Sequence, residues 1–169
     1  MRSVNIQPTV TVAAIAERDG KYLVIEERIR GRLVLTQPGG HVEDGETLVE
    51  AIIREALEES ACDFTPSYLI STYLSRNAAT GHATLRFNFA GTVAGPDSRR
   101  TLDRGIERML WMSGAELRGA EARLRSPQVL RCIADYEAGM RNPLTSVQYL
   151  DVETASHVRS VVNLSAARS

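Results

Sequence analysis

The segment from Gln37 to Ser60 constrains this chain more than any other. Gln37-Pro38-Gly39-Gly40 forms a loop, because a proline and two glycines break any regular element. Thr47 to Ser60 then predicts a helix. Thr47 followed three residues later by Glu50 is a capping-box pattern at its start. With Leu48 at zero, a helical step of about 100° per residue puts Glu55, Glu58 and Glu59 near 340°, 280° and 20°. Leu48, Val49, Ile52, Ile53, Ala56 and Leu57 fall mostly between about 0° and 180°, and they make the face that packs. Three carboxylates therefore line the rim of a packed helix. Like charges three and four residues apart repel by roughly 0.2–0.5 kcal/mol per pair. They also stand toward the C-terminal end, where the helix dipole disfavours anions. Arg54 alone does not neutralise all three. Two readings follow: a solvated acidic face, or a site for a hard divalent cation such as Mg²⁺ or Mn²⁺, since no His or Cys joins the cluster.

The remaining chain reads as one domain of mixed α and β segments. Its 169 residues suffice for a core without disulfide or metal staples. The balance of 20 basic against 21 acidic residues gives a net charge of −1, so no general attraction to nucleic acid or to an anionic membrane is expected. Cys62 and Cys132 stand far apart in apolar surroundings and read as small core residues. No apolar run reaches the length of a membrane span, and Met1 to Pro8 lacks the apolar stretch of a signal peptide. A cytoplasmic location is the expectation.

Strands are predicted at Thr9–Ala16 and Lys21–Ile29, joined as a hairpin by Arg18-Asp19-Gly20. A short apolar stretch, Leu33–Leu35, follows Gly31. Further strands are predicted at Tyr68–Leu74, Thr84–Val93 and Ile106–Met112, with Gly95–Arg104 as a loop. Ser113 is expected to cap a short helix running through Arg125. Ser126-Pro127 is expected to start another helix, with serine at the N-cap and proline at N1, and Gly139 to close it.

The spacing of Gly40, Glu46 and Arg54-Glu55-Ala56-Leu57-Glu58-Glu59 resembles the Nudix box, G-x5-E-x7-R-E-U-x-E-E-x-G-U with U aliphatic. The match departs from the pattern at its end, where Ala61 replaces the last glycine and Cys62 the last aliphatic. That glycine lets the chain leave the helix in a left-handed conformation. The likeness extends over roughly residues 8 to 145 and resembles the NudJ phosphatase subfamily. Val10 to Ala14, Gly20 to Glu27, Gln37 to His41, Leu85-Arg86-Phe87, Trp111-Met112-Ser113 and Arg125-Ser126-Pro127 carry it.

The resemblance implies an α+β Nudix fold, a mixed sheet sandwiched between helices, over residues 1–150, with a tail at 151–169. It implies hydrolysis of a phosphoanhydride by water attack with Mg²⁺, or Mn²⁺ in its place. Candidate metal ligands are Glu55, Glu58, Glu59 and the Gly39 carbonyl, with Glu107 as a carboxylate from outside the box; Asp97 and Asp103 are alternatives to it. Glu58 or Glu59 would orient the water, Arg54 would hold a catalytic carboxylate, and Glu46 would tie loop to helix. Glu107 has a plainer reading as an exposed strand residue paired with Arg108 or Arg104. Arg86, amid apolar neighbours, would contact substrate phosphate or pair with a structural glutamate. Gly40 and His41 are candidate substrate contacts, and His41 reads equally as a helper of the loop. His82 reads as a solvated turn residue and Trp111 as a core residue. The expected substrates are small diphosphates: nucleoside di- and triphosphates, hydroxymethylpyrimidine diphosphate and thiamine diphosphate. Other Nudix pyrophosphatase activities and a non-catalytic sensor are the alternatives. Nucleic acid is not an expected partner, and the expected assembly is a monomer or homodimer.

Overall fold

The protein is described here by a computed structural model, which covers residues 6–150 and the backbone of Val158–Arg159. The elements follow in the order β1 (Thr9–Arg18), β2 (Lys21–Ile29), β3 (Arg32–Thr36), α1 (Leu48–Ser60), β4 (Asp63–Arg76), β5 (Ala83–Ala94), β6 (Ile106–Ser113), α2 (Gly114–Gly119), α3 (Gln128–Glu137), β7 (Tyr149–Leu150) and β8 (Val158–Arg159). The first six strands make one mixed sheet in the order β3-β2-β1-β5-β4, with β6 also pairing β2. The β1–β5 pair is parallel, and the other pairs in this sheet are antiparallel.

Two hairpins organise the β1–β3 segment. Asp19 and Gly20 at the first turn have φ of 53° and 74°, and Arg30 and Gly31 at the second have 48° and 81°. Positive φ at both central residues is the turn whose twist matches the strands it joins. Alternation along β1 sends Val12, Ala14 and Ala16 to one face of the sheet and Ile15 to the other. The first face packs on Val49, Ile52 and Ala56 of α1. The second packs on Leu117 of α2 and on Cys132 and Ile133 of α3. The result is the expected three-layer α/β/α sandwich, with both cysteines buried and free.

Among the differences from the predicted elements, three stand out. The strand expected at Tyr68–Leu74 begins at Asp63. Pro66 is accommodated because β4 lies at the sheet edge and shifts register between Pro66 and Tyr68, where a missing N–H is tolerated. The helix expected from Ser113 through Arg125 stops at Gly119 and gives way to a single 3₁₀ turn, Glu121–Arg123. Leu124 then bridges Leu35, and Arg125 N–H donates to the Leu35 carbonyl at 2.9 Å, so this segment extends the β3 side of the sheet. In α3, Pro127 rather than Ser126 occupies the N-cap, and no side chain caps the helix. Gly139, at φ 80°, closes α3 as expected, with Met140 N–H donating to the Asp135 carbonyl at 3.1 Å.

The expected boundary between domain and tail falls at residue 150, and the tail lies outside the described residues apart from the β8 backbone, which pairs with β7. Among the described residues, no helix is long and apolar enough to cross a membrane.

Candidate active site

The glycine loop is bound to β1 as though it were another strand. Ala14 N–H donates to the Pro38 carbonyl at 2.8 Å, Val12 N–H to the Gly40 carbonyl at 2.9 Å, and Val42 N–H to the Val10 carbonyl at 3.1 Å. Backbone hydrogen-bonding groups alternate in direction along such an extended chain, so the Gly39 N–H points away from β1, toward α1. This N–H donates to Glu59 Oε2 at 2.7 Å. Proximity to backbone requires glycine at Gly39, whereas a side chain at Gly40 would displace the Glu55 carboxylate. A Cβ on Gly39 would lie 2.2 Å from the Val12 carbonyl oxygen, and one on Gly40 would lie 2.5 Å from the Glu55 carboxylate. The loop thus seats the α1 carboxylates directly against the backbone.

Helix α1 starts as its sequence predicts. Thr47 Oγ1 accepts from Glu50 N–H, and the Glu50 carboxylate accepts from Thr47 N–H. Its exit is left-handed, with Ala61 at φ 56° and ψ 21°. The backbone therefore keeps the geometry of the family glycine even though alanine stands there. The loop at 95–105 crosses this end of the helix. Asp103 N–H donates to the Glu58 carbonyl and Asp97 N–H to the Ala61 carbonyl, which satisfies acceptors that a helix terminus leaves free.

Arg54 gathers the carboxylates. Its Nη2 and Nε donate to Glu46 at 2.7 and 3.1 Å, and its Nη1 donates to Glu55 at 2.9 Å and Glu58 at 3.1 Å. Nη2 also donates to the His41 carbonyl, which ties helix to loop. The hydrogen bond to Glu46 is the main cause that raises the Arg54 pKa above its ordinary value. Burial pushes Glu46 upward, but the bonds from Arg54 and from Glu43 N–H outweigh it and hold this carboxyl below its usual range. Glu55 is raised, chiefly by burial, and Asp103 is near enough to add to the effect. Glu59 is the extreme case. It was expected on the helix rim, yet it is only 9% exposed, and burial pushes its pKa up to about 8 against the opposing bond from Gly39 N–H.

Among the described residues, no three acidic, histidine or cysteine side chains stand in position to enclose a metal ion. Arg54 holds Glu55 and Glu58 together, and Glu59 is turned to Gly39. The charge balance nonetheless fits a cation. Glu46, Glu55 and Glu58 share a single guanidinium, and among the described residues the buried Glu59 has a backbone N–H as its hydrogen-bond partner, with the Arg125 charge farther off. The donors are all oxygens, which suits a hard divalent ion.

The other candidates are spread around this centre. Glu107 is half exposed and bonded to Arg28 at 2.7 Å rather than to Arg104 or Arg108, because β2 carries Arg28 alongside β6 while Arg108 pairs with Glu26. Gly39, Gly40, His41 and Arg86 line one cavity of about 700 Å³. Arg86 meets no structural glutamate. It donates to Asn88 Oδ1 at 3.0 Å and to Gln37 Oε1 at 3.3 Å, and burial lowers its pKa. His82 is exposed and within 2.9 Å of Thr9 Oγ1. Trp111 packs against the α1-side core with the Arg18 guanidinium 4.7 Å from its ring centre. Sequence reasoning overlooked two cavity features, Arg125 and the N-terminus of α3. They come from a distant segment, and the only signal was the motif Arg125-Ser126-Pro127.

The profile of the NUDIX domain family matches residues 5–131. Phosphatase NudJ of Escherichia coli K12 is 38% identical over 141 residues, covering 83% of this chain and 91% of that protein. A NUDIX hydrolase from Nitrosomonas europaea has 46% sequence identity and a TM-score of 0.83, covering 85% of this chain and 98% of the other. A MutT NUDIX hydrolase from Burkholderia pseudomallei shares the fold at 23% identity and a TM-score of 0.60, over 78% and 97% of the two chains. Nudix hydrolases generally use a divalent metal. With its signature residues, fold and relatives in agreement, the chain belongs to the Nudix hydrolase family and is an enzyme that cleaves phosphorus-containing acid anhydrides.

Proposed function

We propose that this enzyme is a Mg²⁺-dependent phosphohydrolase of small diphosphates that releases inorganic phosphate by water attack, with Mn²⁺ able to replace Mg²⁺. The substrates are nucleoside di- and triphosphates, hydroxymethylpyrimidine diphosphate and thiamine diphosphate. The observation that supports this reading best is the seating of Glu55 and Glu59 against Gly40 and Gly39, which line the large cavity. The 38% identity to a phosphatase adds to it.

In this proposal Glu55, Glu58, Glu59 and the Gly39 carbonyl hold the metal, and Glu107 is the more distant carboxylate. The metal supplies charge neutralisation on the diphosphate and a lowered pKa for water. Arg54 fixes the directions of Glu55 and Glu58 through its Nη1 hydrogen bonds. Glu46 anchors Arg54 from the loop side and is structural. Gly39 N–H orients Glu59, and Glu58 or Glu59 positions the attacking water. Gly40, His41 and Arg86 form the substrate wall. The domain comprises residues 1–150, with the tail outside it. The enzyme works in the cytoplasm on small molecules, as a monomer or homodimer.

The test is product analysis. Purified protein with Mg²⁺ is mixed with each substrate class, and products are identified by phosphate assay and mass. Inorganic phosphate released from di- and triphosphates supports the proposal. Pyrophosphate or a nucleoside monophosphate as the only product assigns a different Nudix reaction, and no product with Mg²⁺ or Mn²⁺ overturns catalysis.

A further inference from the structure

The large cavity has a second wall that the signature motif does not describe. Arg86 on β5 and Arg125 after the 3₁₀ turn both line it, together with Ser126, Pro127 and Gln128 at the start of α3. The charges on this wall are unbalanced. Arg125 is matched by Glu27, whose Oε2 accepts from its Nη1 at 2.5 Å. Among the described residues, the hydrogen-bond partners of Arg86 are the neutral oxygens of Asn88 and Gln37. A partly buried guanidinium bonded to neutral oxygens, with the Glu59 charge farther off, is incompletely compensated, and a bound anion would offset that cost. The uncapped α3 start adds to the same field, because backbone N–H groups and the helix dipole at this end favour negative charge.

The layout also places this wall across from the glycine loop. Thr11 on β1 is paired with Arg86 on one side and bridged to His41 on the other. With strands about 4.8 Å apart, Arg86 stands roughly 10 Å across the sheet from the loop. Thr11 Oγ1, between them, is a buried side-chain oxygen with no hydrogen-bond partner among the described residues. A diphosphate lying over Thr11 meets the glycine loop at one end and the arginines at the other.

We infer that Arg86, Arg125 and the uncapped start of α3 form a phosphate clamp that holds the terminal phosphoryl group of the substrate. The ligand chemistry is a tetrahedral phosphate dianion, and the planar fork of arginine is suited to it. The identity of the held group rests on the hydrolase reading, whereas the existence of the anion site does not.

Two measurements test the clamp. The first is calorimetric titration of inorganic pyrophosphate into the full-length chain in the presence of a chelator. Arg125→Gln, at a half-exposed side chain, and Arg86→Gln are each expected to weaken binding at least tenfold, with Arg86→Lys recovering part of the loss. Thermal melting establishes that each variant is folded, and Arg125→Gln carries the test if Arg86→Gln is not. Unchanged affinity in Arg125→Gln, or no pyrophosphate binding by the wild type, overturns the clamp. The second is inhibition by inorganic phosphate during turnover with Mg²⁺. Competitive inhibition that weakens at least tenfold in Arg125→Gln assigns the clamp to the substrate's own phosphoryl group. Non-competitive inhibition overturns that assignment. Absence of turnover with any divalent metal counts against the hydrolase reading and leaves the binding measurement to decide the clamp.

Discussion

Glu59 is an acid in a place that disfavours its charge. It is buried in α1, faces other carboxylates and is held by one backbone N–H. Replacing it by glutamine keeps the shape and removes the charge. Glu59→Gln is therefore expected to fold, to melt higher than the wild type at pH 8.5 without metal, and to lose at least a hundredfold in kcat. Near-normal turnover at saturating Mg²⁺ would exclude Glu59 from the reaction. Ala61 makes a second case at this scale. A left-handed alanine costs about 1–2 kcal/mol, while glycine there forfeits a buried methyl and about 0.4–1 kcal/mol of unfolded-state entropy. The two effects nearly cancel. Ala61→Gly is expected to shift stability by less than about 1 kcal/mol, whereas Ala61→Val, β-branched on left-handed backbone, is expected to cost about 2 kcal/mol or more. Urea titration separates these outcomes.

At the scale of the element, α1 depends on how its ends are tied. The Thr47–Glu50 box satisfies two backbone donors at the start, and the loop at 95–105 covers the exit. Thr47→Ala is expected to destabilise the protein by about 1 kcal/mol. Because Glu55, Glu58 and Glu59 lie eight or more residues beyond the cap, its effect on kcat should be less than twofold once the protein is folded. A large fall in kcat without loss of stability would show that the cap shapes the site itself. The β4 strand shows how an element depends on position. Pro66 is compatible with it only because this strand lies at the edge and shifts register there.

For the whole molecule, the clustered acids make stability depend on pH and on metal. Glu59 has a folded pKa of about 8, above its unfolded value near 4.5. Between these values the folded state binds more protons, so stability declines as pH rises from about 5 to 8. The loss is of the order of a few kcal/mol for a group this deeply buried. The metal-free enzyme is expected to melt lower at pH 8.5 than at pH 5.5. Mg²⁺ or Mn²⁺ is expected to restore most of the difference, since a ligand that binds only the folded state stabilises it by mass action. A melting temperature that rises with pH in chelator would contradict this account of Glu59.

The sequence by itself determined the local features. Capping residues start α1, glycines at Gly20 and Gly31 turn the hairpins, and β-branched runs make β1 and β2; each depends on neighbours a few residues away. The family pattern likewise identified the helix that carries Glu55, Glu58 and Glu59. Only the tertiary structure decided what depends on distant segments meeting. It buried Glu59, whose helical angle suggested the rim, because the glycine loop zipped onto β1 covers that side. It paired Glu107 with Arg28 and gave Arg86 amide oxygens in place of a carboxylate. It also ended α2 early, where Leu124 bridges Leu35 and brings Arg125 to Glu27, 98 residues away in the chain. Hydrogen bonding and packing across such separations leave no periodic trace in either segment, so a charged side chain's partner becomes visible only when the chain is folded.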